Sequence, residues 1–170
     1  MLWIRGLIFT FLVPYMLGIA VPRWLDPGEG AADGWRVGWI LIAAGTFCYL
    51  SSLAHFLFAG GTPSIYFLRA LKFILGEEPR KVVQGGLYGF TRNPMYVGVI
   101  TTILGQALLY GSWQVGLYGF IFALWLHFVV TVIEEPHLRK SQGAAYDEYC
   151  RRVPRWFGRP RSTKEHIWYA

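Results

Sequence analysis

Two short stretches of the chain bring together residue types able to hold a charged ligand. The first is Gly85-Gly86-Leu87-Tyr88-Gly89-Phe90-Thr91-Arg92-Asn93-Pro94-Met95-Tyr96. Asn93 followed by Pro94 reads as a helix start, because Asn caps and Pro fits the first helical position, where no N–H is needed. A helix beginning there presents free N–H groups and a partial positive charge, a seat for a carboxylate or phosphate. The same residues equally describe the ordinary start of a transmembrane helix, with Arg92 against lipid headgroups.

The second stretch is Glu134-Glu135-Pro136-His137-Leu138. It comes after an apolar run, so its carboxylates fall at the negative end of a helix, costing about 0.3–1 kcal/mol each when exposed. A cation has to compensate them. Either that cation is Arg80, Lys81, Arg92 or Arg139 in a salt bridge, or one carboxylate holds a cationic ligand. An aminoacyl sulfonium such as S-adenosylmethionine suits both stretches together, its ammonium and sulfonium toward Glu134 and its carboxylate toward the helix start at Asn93. The soluble solution for that cofactor is a Rossmann-like sheet with a Gly-rich turn. The chain has neither alternating strands and helices nor a G-x-G-x-x-G.

The elements that position these residues are apolar helices. Of the 170 residues 54% are hydrophobic and 15% charged, against about 25% charged in soluble domains. No Asp, Glu, Lys or Arg falls in 6–22, 37–68 or 93–133, gaps of 17, 32 and 41 residues, and ~20 residues suffice for a helix to cross the hydrocarbon core. Helices are the spanning element because lipid offers backbone groups no other partner. Gly111-Ser112 divides the longest gap, and Ala59-Gly60-Gly61-Thr62-Pro63 stops the helix before it. The predicted fold class is an all-α integral membrane protein with four transmembrane helices, about 4–21, 36–58, 94–110 and 113–133. Tyr146, Tyr149, Cys150 and Val153 recur at helical spacing and predict an amphipathic helix over about 143–152, lying on the membrane surface or on the connector. The chain reads as one membrane domain, with two scaffold spans in 1–58. The polar residues of interest lie in 59–170.

Thirteen of the sixteen Lys and Arg residues lie in 59–92 and 134–170. The positive-inside rule then puts both termini of a multi-pass protein in the cytoplasm. Arg5 ahead of an apolar run also gives residues 1–21 the outline of a signal peptide, but nothing after residue 21 resembles a secreted domain. The net charge of +6 comes without a nucleic-acid-binding motif, so it argues for anionic headgroups rather than nucleic acid. Cys48 falls in a span and Cys150 in the tail, so neither a disulfide nor a metal framework is predicted.

The stretch Gly86-Leu87-Tyr88…Arg92-Asn93-Pro94-Met95-Tyr96, then Glu134-Glu135-x-x-Leu138, Gly143-x-x-Tyr146-x-x-Tyr149 and Val153-Pro154-Arg155, resembles the isoprenylcysteine carboxyl methyltransferase family. The related membrane phospholipid methyltransferases share much of the pattern. The resemblance covers about 60–157. It implies a non-Rossmann S-adenosylmethionine site formed by the cytoplasmic connector, the helical hairpin and the tail, open toward the bilayer for a lipophilic or lipid-like substrate. Arg80, Lys81, Val82 and Val83 match a stretch whose backbone borders the cofactor, and Tyr88 a tyrosine that contacts it. Asn93, Pro94, Met95 and Tyr96 match the Arg-His-Pro-x-Tyr segment at the cofactor, and Glu134 the glutamate that binds it. Asn93 replaces a histidine of eukaryotic members, and Val130 stands where those members place a substrate-binding arginine.

The reading is therefore a methyltransferase whose acceptor is a prenylcysteine-type carboxylate, a phospholipid or a small thiol. Methyl transfer from a sulfonium is an in-line displacement, and the protein must align donor and nucleophile and exclude water. A protonated acceptor needs a base; Glu135 and Tyr96 are the foremost candidates, with His137 and Tyr88 behind them. Two other classes fit the sequence. His55 and His127, each near the cytoplasmic end of a span, could form a bis-imidazole haem site, or each could hydrogen-bond within the bundle. A non-catalytic accessory protein could also keep the methyltransferase shell without turnover.

Overall fold

The structure, a computed structural model, describes residues 11–26, 35–59 and 82–158. The described residues are all helix and turn, with no strand. The first part of the predicted span 4–21, most of the connector including Arg80 and Lys81, and the end of the tail lie outside them.

Helix α1 comprises a π-helical stretch, Phe11–Ala20, running into an α-helical turn, Val21–Leu25. Pro22 accounts for its polar contacts. Lacking an N–H, it can donate neither to the carbonyl of Gly18, four residues back, nor to that of Leu17, five back. Both are taken up by neighbouring helices: the Gln106 amide donates to the Gly18 carbonyl at 2.5 Å, and the Tyr118 hydroxyl donates to the Leu17 carbonyl at 2.7 Å. An unsatisfied carbonyl in hydrocarbon costs several kcal/mol, so these two side chains pin α1 to the rest of the bundle.

Helix α2 (Trp35–Phe58) and helix α3 (Pro94–Tyr110) run antiparallel at backbone contact. Gly45 faces Gly98 and Gly38 faces Gly105: a Cβ on Gly45 would stand 2.6 Å from the Gly98 carbonyl oxygen, and one on Gly38 2.8 Å from that of Gly105. Small residues repeated every seventh position on both helices are what lets membrane helices pack this closely. Helix α3 has the predicted bounds 94–110. It closes on Gly111 in the left-handed region, φ 64°, and the Ser112 hydroxyl accepts from the Val115 N–H to start the next helix.

That next helix is longer than expected. The sequence predicts an end near 133, ahead of the two glutamates. Instead α4 continues from Trp113–Phe128 through a π turn, Val129–Glu134, into Glu135–Gln142, 30 residues without a break. Pro136 lacks the N–H an α-helix needs, and the widened turn before it absorbs that loss, the Glu135 N–H bonding back to the Val130 carbonyl. The glutamates are therefore inside a helix and not at its negative end. Only the stretch to Ile133 is free of charge, and the polar last turns of α4 begin at Glu134.

Among the described residues two helices are long and apolar enough to cross a membrane, Trp35–Phe58 and Trp113–Gln142. Each exposes large apolar side chains, Trp39, Ile40, Phe47 and Leu50 on α2 and Phe120, Ile121, Leu124 and Phe128 on α4, as helices facing hydrocarbon do. The amphipathic helix is present as α5, Ala144–Arg152. Its buried side turns to the protein: Tyr146, Tyr149 and Val153 pack with Val82 of the connector, Leu138 of α4 and Cys150.

Candidate functional site

The predicted ligand residues that are described come from the last part of the connector, the start of α3 and the π turn of α4, and the tail packs against them. Tyr88 sits in a 3-10 turn, Gly86–Gly89. It is buried in the cluster Tyr49, Leu53, Leu57 and Met95, against which Phe56, Val83 and Val99 also pack. Its ring lies 5.4 Å from that of Phe56, and its carbonyl accepts the Tyr149 hydroxyl at 2.8 Å. Burial pushes the Tyr88 phenol well above the ordinary tyrosine range, with Tyr149, Cys48, Glu134 and Tyr49 near enough to add to the effect. Tyr88 is thus a neutral donor at physiological pH.

At the start of α3 the expected cap is absent. Asn93 occupies the N-cap position, yet its side chain makes no capping bond; its amide donates instead to the Arg155 carbonyl at 3.0 Å. The tail is the competitor. The Arg92 N–H donates to the Pro154 carbonyl at 3.0 Å, and the Thr91 hydroxyl shares the Arg155 carbonyl at 3.1 Å. Residues 154–155 thus lie along 91–93 like a strap and draw the amide away, so that Asn93 does not cap the first turn of α3. Pro94 is buried and its carbonyl accepts the Cys48 thiol at 3.2 Å. Met95 is buried in the Tyr88 cluster. Tyr96, one turn in, donates its hydroxyl to Glu134 across to α4.

The two glutamates have separate surroundings. Glu134 is half-buried and holds Tyr96. Glu135 is 2% exposed and lies among three arginines: Arg155 donates to both its oxygens at 2.6 and 3.0 Å, Arg92 is 2.9 Å away and Arg139 3.3 Å. Burial alone would raise the Glu135 pKa. The Arg155 bond and the charges of Arg92, Arg155 and Arg139 outweigh it and hold the carboxyl below the usual range. Of the four basic residues weighed as salt-bridge partners, Arg92 and Arg139 pair with Glu135, and Arg80 and Lys81 lie outside the described residues. Arg155 was not among them, although Val153-Pro154-Arg155 belongs to the pattern that carries the family resemblance. Arg92 accordingly is no headgroup contact: its side chain is 10% exposed and it also donates to the Cys150 sulfur at 2.7 Å.

The remaining sequence candidates have settled positions. Val82 and Val83 are half-buried, the first against the α5 cluster and the second against the Tyr88 cluster. Val130 is 1% exposed, a packing residue. His55 Nδ1 is 2.8 Å from the Ser51 carbonyl, and His127 Nδ1 accepts from the Trp156 indole at 3.0 Å, so each imidazole has a protein partner of its own. Both cysteines are free.

The sequence that carries this arrangement is similar to parts of known proteins. A protein-S-isoprenylcysteine O-methyltransferase of Schizosaccharomyces pombe is 34% identical over 74 residues, 43% of this chain and 31% of that protein. A Delta(14)-sterol reductase LBR of Gallus gallus is 29% identical over 92 residues, 51% of this chain and 14% of that protein. The chain spans less than a third of the length of either curated relative. No solved structure matches. The phospholipid methyltransferase family model matches residues 35–145, from the start of α2 through Tyr88, Tyr96, Glu134 and Glu135 into α5. With well over half of its length matched, this membrane protein belongs to the phospholipid methyltransferase family.

Proposed function

We propose that the protein transfers a methyl group from S-adenosylmethionine to a lipophilic acceptor at the cytoplasmic face of the membrane. The observation that carries this reading is the Tyr96–Glu134 pair beside the start of α3, which the Asn93 side chain does not cap. An anionic carboxylate and an N-terminal helix turn, side by side, offer complementary charge to a ligand bearing both a cation and a carboxylate. S-adenosylmethionine carries that combination, and when bound it supplies the activated methyl group. Glu134 would hold its cationic side, the first turn of α3 its carboxylate, and Tyr88, Pro94 and Met95 would wall the pocket. Val82 and Val83, with Arg80 and Lys81, would border it from the connector.

Tyr96 orients Glu134 in this scheme. Glu135 we assign to the scaffold, not to base catalysis, since a carboxylate committed to three arginines and held below its usual range is a weak proton acceptor. Four crossings with both termini cytoplasmic would put the connector, the glutamates and α5 on one face. The charge-free gaps and the thirteen basic residues on that side support this topology. The family favours a lipid-like acceptor, and the buried Val130 offers no cation to an acceptor's carboxylate.

Isothermal titration of S-adenosylmethionine and S-adenosylhomocysteine into the purified full chain tests this reading. Saturable binding is expected for the wild type, weakened about 30-fold or more in Glu134→Gln, the loss of a charged partner being worth ~2–5 kcal/mol. Equal affinity in the variant would remove Glu134 from the site.

A further inference from the structure

The buried polar face of α2 ends in a histidine that takes no part in the cluster around Glu134 and Glu135. Along α2 the contacts with α3 step down that helix in order: Gly38 meets Gly105, Gly45 meets Gly98, and the Cys48 thiol donates to the Pro94 carbonyl. Pro94 is the first residue of α3. His55, seven residues or about two turns beyond Cys48, therefore projects past the N-terminal end of α3, toward the turn that leads into Tyr88. There its ring meets the Gly85-Gly86 turn. A Cβ on Gly86 would collide with the Nε2–Cε1 edge, and Gly86 has φ 58°.

The ring is also fixed in tautomer. A carbonyl can only accept, so the contact of Nδ1 with the Ser51 carbonyl at 2.8 Å places the ring proton on Nδ1 and leaves Nε2 as an acceptor. Among the described residues Nε2 has no hydrogen-bond partner. A histidine held by one nitrogen, with the basic nitrogen directed into the turn ahead of Tyr88, is arranged as a base needs to be.

We propose that His55 Nε2 takes the proton from a methyl acceptor that binds protonated, an amine or a thiol. This rests on the methyltransferase reading and goes further by naming the base and the class of nucleophile. The acceptor's N–H or S–H bond breaks toward Nε2. The freed electron pair forms the bond to the methyl carbon while the carbon–sulfonium bond breaks and leaves its pair on sulfur, and the imidazolium returns its proton to water. A carboxylate acceptor would need none of this. The described elements that touch His55 are the Gly85-Gly86 turn, which leads into Tyr88, and α2 itself, which carries Cys48 and Tyr49. Tyr88 stays protonated through the neutral range, and Glu134 is engaged with Tyr96.

The test compares wild type, His55→Asn and His55→Gln as full chains in lipid nanodiscs. His55→Asn keeps a side-chain amide for the Ser51 carbonyl; His55→Gln keeps bulk beside Gly86. Three acceptors are offered: phosphatidylethanolamine, an alkyl thiol and a prenylcysteine carboxylate. The proposal expects kcat on an amine or thiol to fall about 10²–10⁴-fold in both variants, with S-adenosylhomocysteine affinity unchanged. It also expects a rising limb of kcat against pH that only the wild type shows. Nitrogen NMR of the wild type should find the proton on Nδ1. Retained kcat in either variant, methylation of the carboxylate alone, or loss of S-adenosylhomocysteine affinity in both variants would each overturn it, the last by showing that His55 merely supports the turn. Absence of S-adenosylhomocysteine binding to wild type would instead sink the methyltransferase reading, and this inference with it.

Discussion

Arg155 grips Glu135 with both ends of its guanidinium, Nε on Oε1 at 2.6 Å and Nη2 on Oε2 at 3.0 Å. The two residues are twenty positions apart, with the last turns of α4 and all of α5 between them. The same arginine gives its carbonyl to Thr91 and Asn93. One residue thus ties the tail to α4 through its side chain and to the start of α3 through its backbone. The shape of the candidate site depends on that tie, because the strap is what takes the Asn93 amide off the α3 terminus.

Removing either member should loosen the tail. Glu135→Gln leaves Arg92, Arg139 and Arg155 without their shared carboxylate, and about 2–5 kcal/mol of stability is expected to go with it. Arg155→Ala should cost less, since two arginines remain on Glu135. Thermal unfolding in detergent measures both, and the double variant should lose less than the sum of the singles. Full additivity would mean the pair is not coupled.

The same cluster sets a pH dependence. The Glu135 carboxyl is held below the usual range in the folded protein. Its contribution is therefore complete above the unfolded value, about 4.3, and is lost as pH falls through the lower folded value. The stability difference between wild type and Glu135→Gln should be flat from about pH 8 to 5 and should shrink on further acidification. A difference that grew toward acid would reverse the assigned sign.

Pro22 and Gln106 should behave as a unit although they lie on different helices. Gln106→Leu strands the Gly18 carbonyl, to which Pro22 cannot donate, and about 1–3 kcal/mol should be lost. In a Pro22→Ala background the helix can supply its own donor, so the same substitution should cost markedly less. Equal costs in the two backgrounds would show that Gln106 acts by packing alone.

Gly98→Ala tests the helix contact beneath the site. A Cβ there would stand 2.7 Å from the Gly45 carbonyl oxygen and 2.8 Å from the Tyr49 nitrogen. Both are backbone atoms, so α2 and α3 must separate, at a cost of about 1–3 kcal/mol. Gly116→Ala is the control, since its nearest contact would be an ordinary 3.9 Å. A spin-label distance between α2 and α3 should lengthen in the first variant and hold in the second.

Much of the helical layout is legible in the sequence because its causes are local. Pro94 and Gly111 bound α3 through their own backbone chemistry, a missing N–H and a left-handed φ. The spacing of Tyr146, Tyr149 and Val153 marks one face of α5 as apolar, though not which surface covers it. The end of α4 is misjudged at 133 because the charge-free run stops there, at the first of two glutamates. A π turn, which carries no signature in composition, lets the helix pass through them.

By itself the sequence determined the apolar helices and their turns, since charge gaps, prolines and glycines act on neighbouring backbone, and it singled out a short set of candidates for holding a charged ligand. Only the tertiary structure decided what each of those residues does. Glu134 and Glu135 are identical in chemistry and adjacent in the chain, but successive residues on a helix point about 100° apart. That rotation sends one to Tyr96 and the other to Arg92, Arg139 and Arg155. Asn93 has every local credential of a cap, yet its amide goes to a carbonyl 62 positions away. Partners that distant are chosen by how the helices pack, and no local pattern in the chain records that choice.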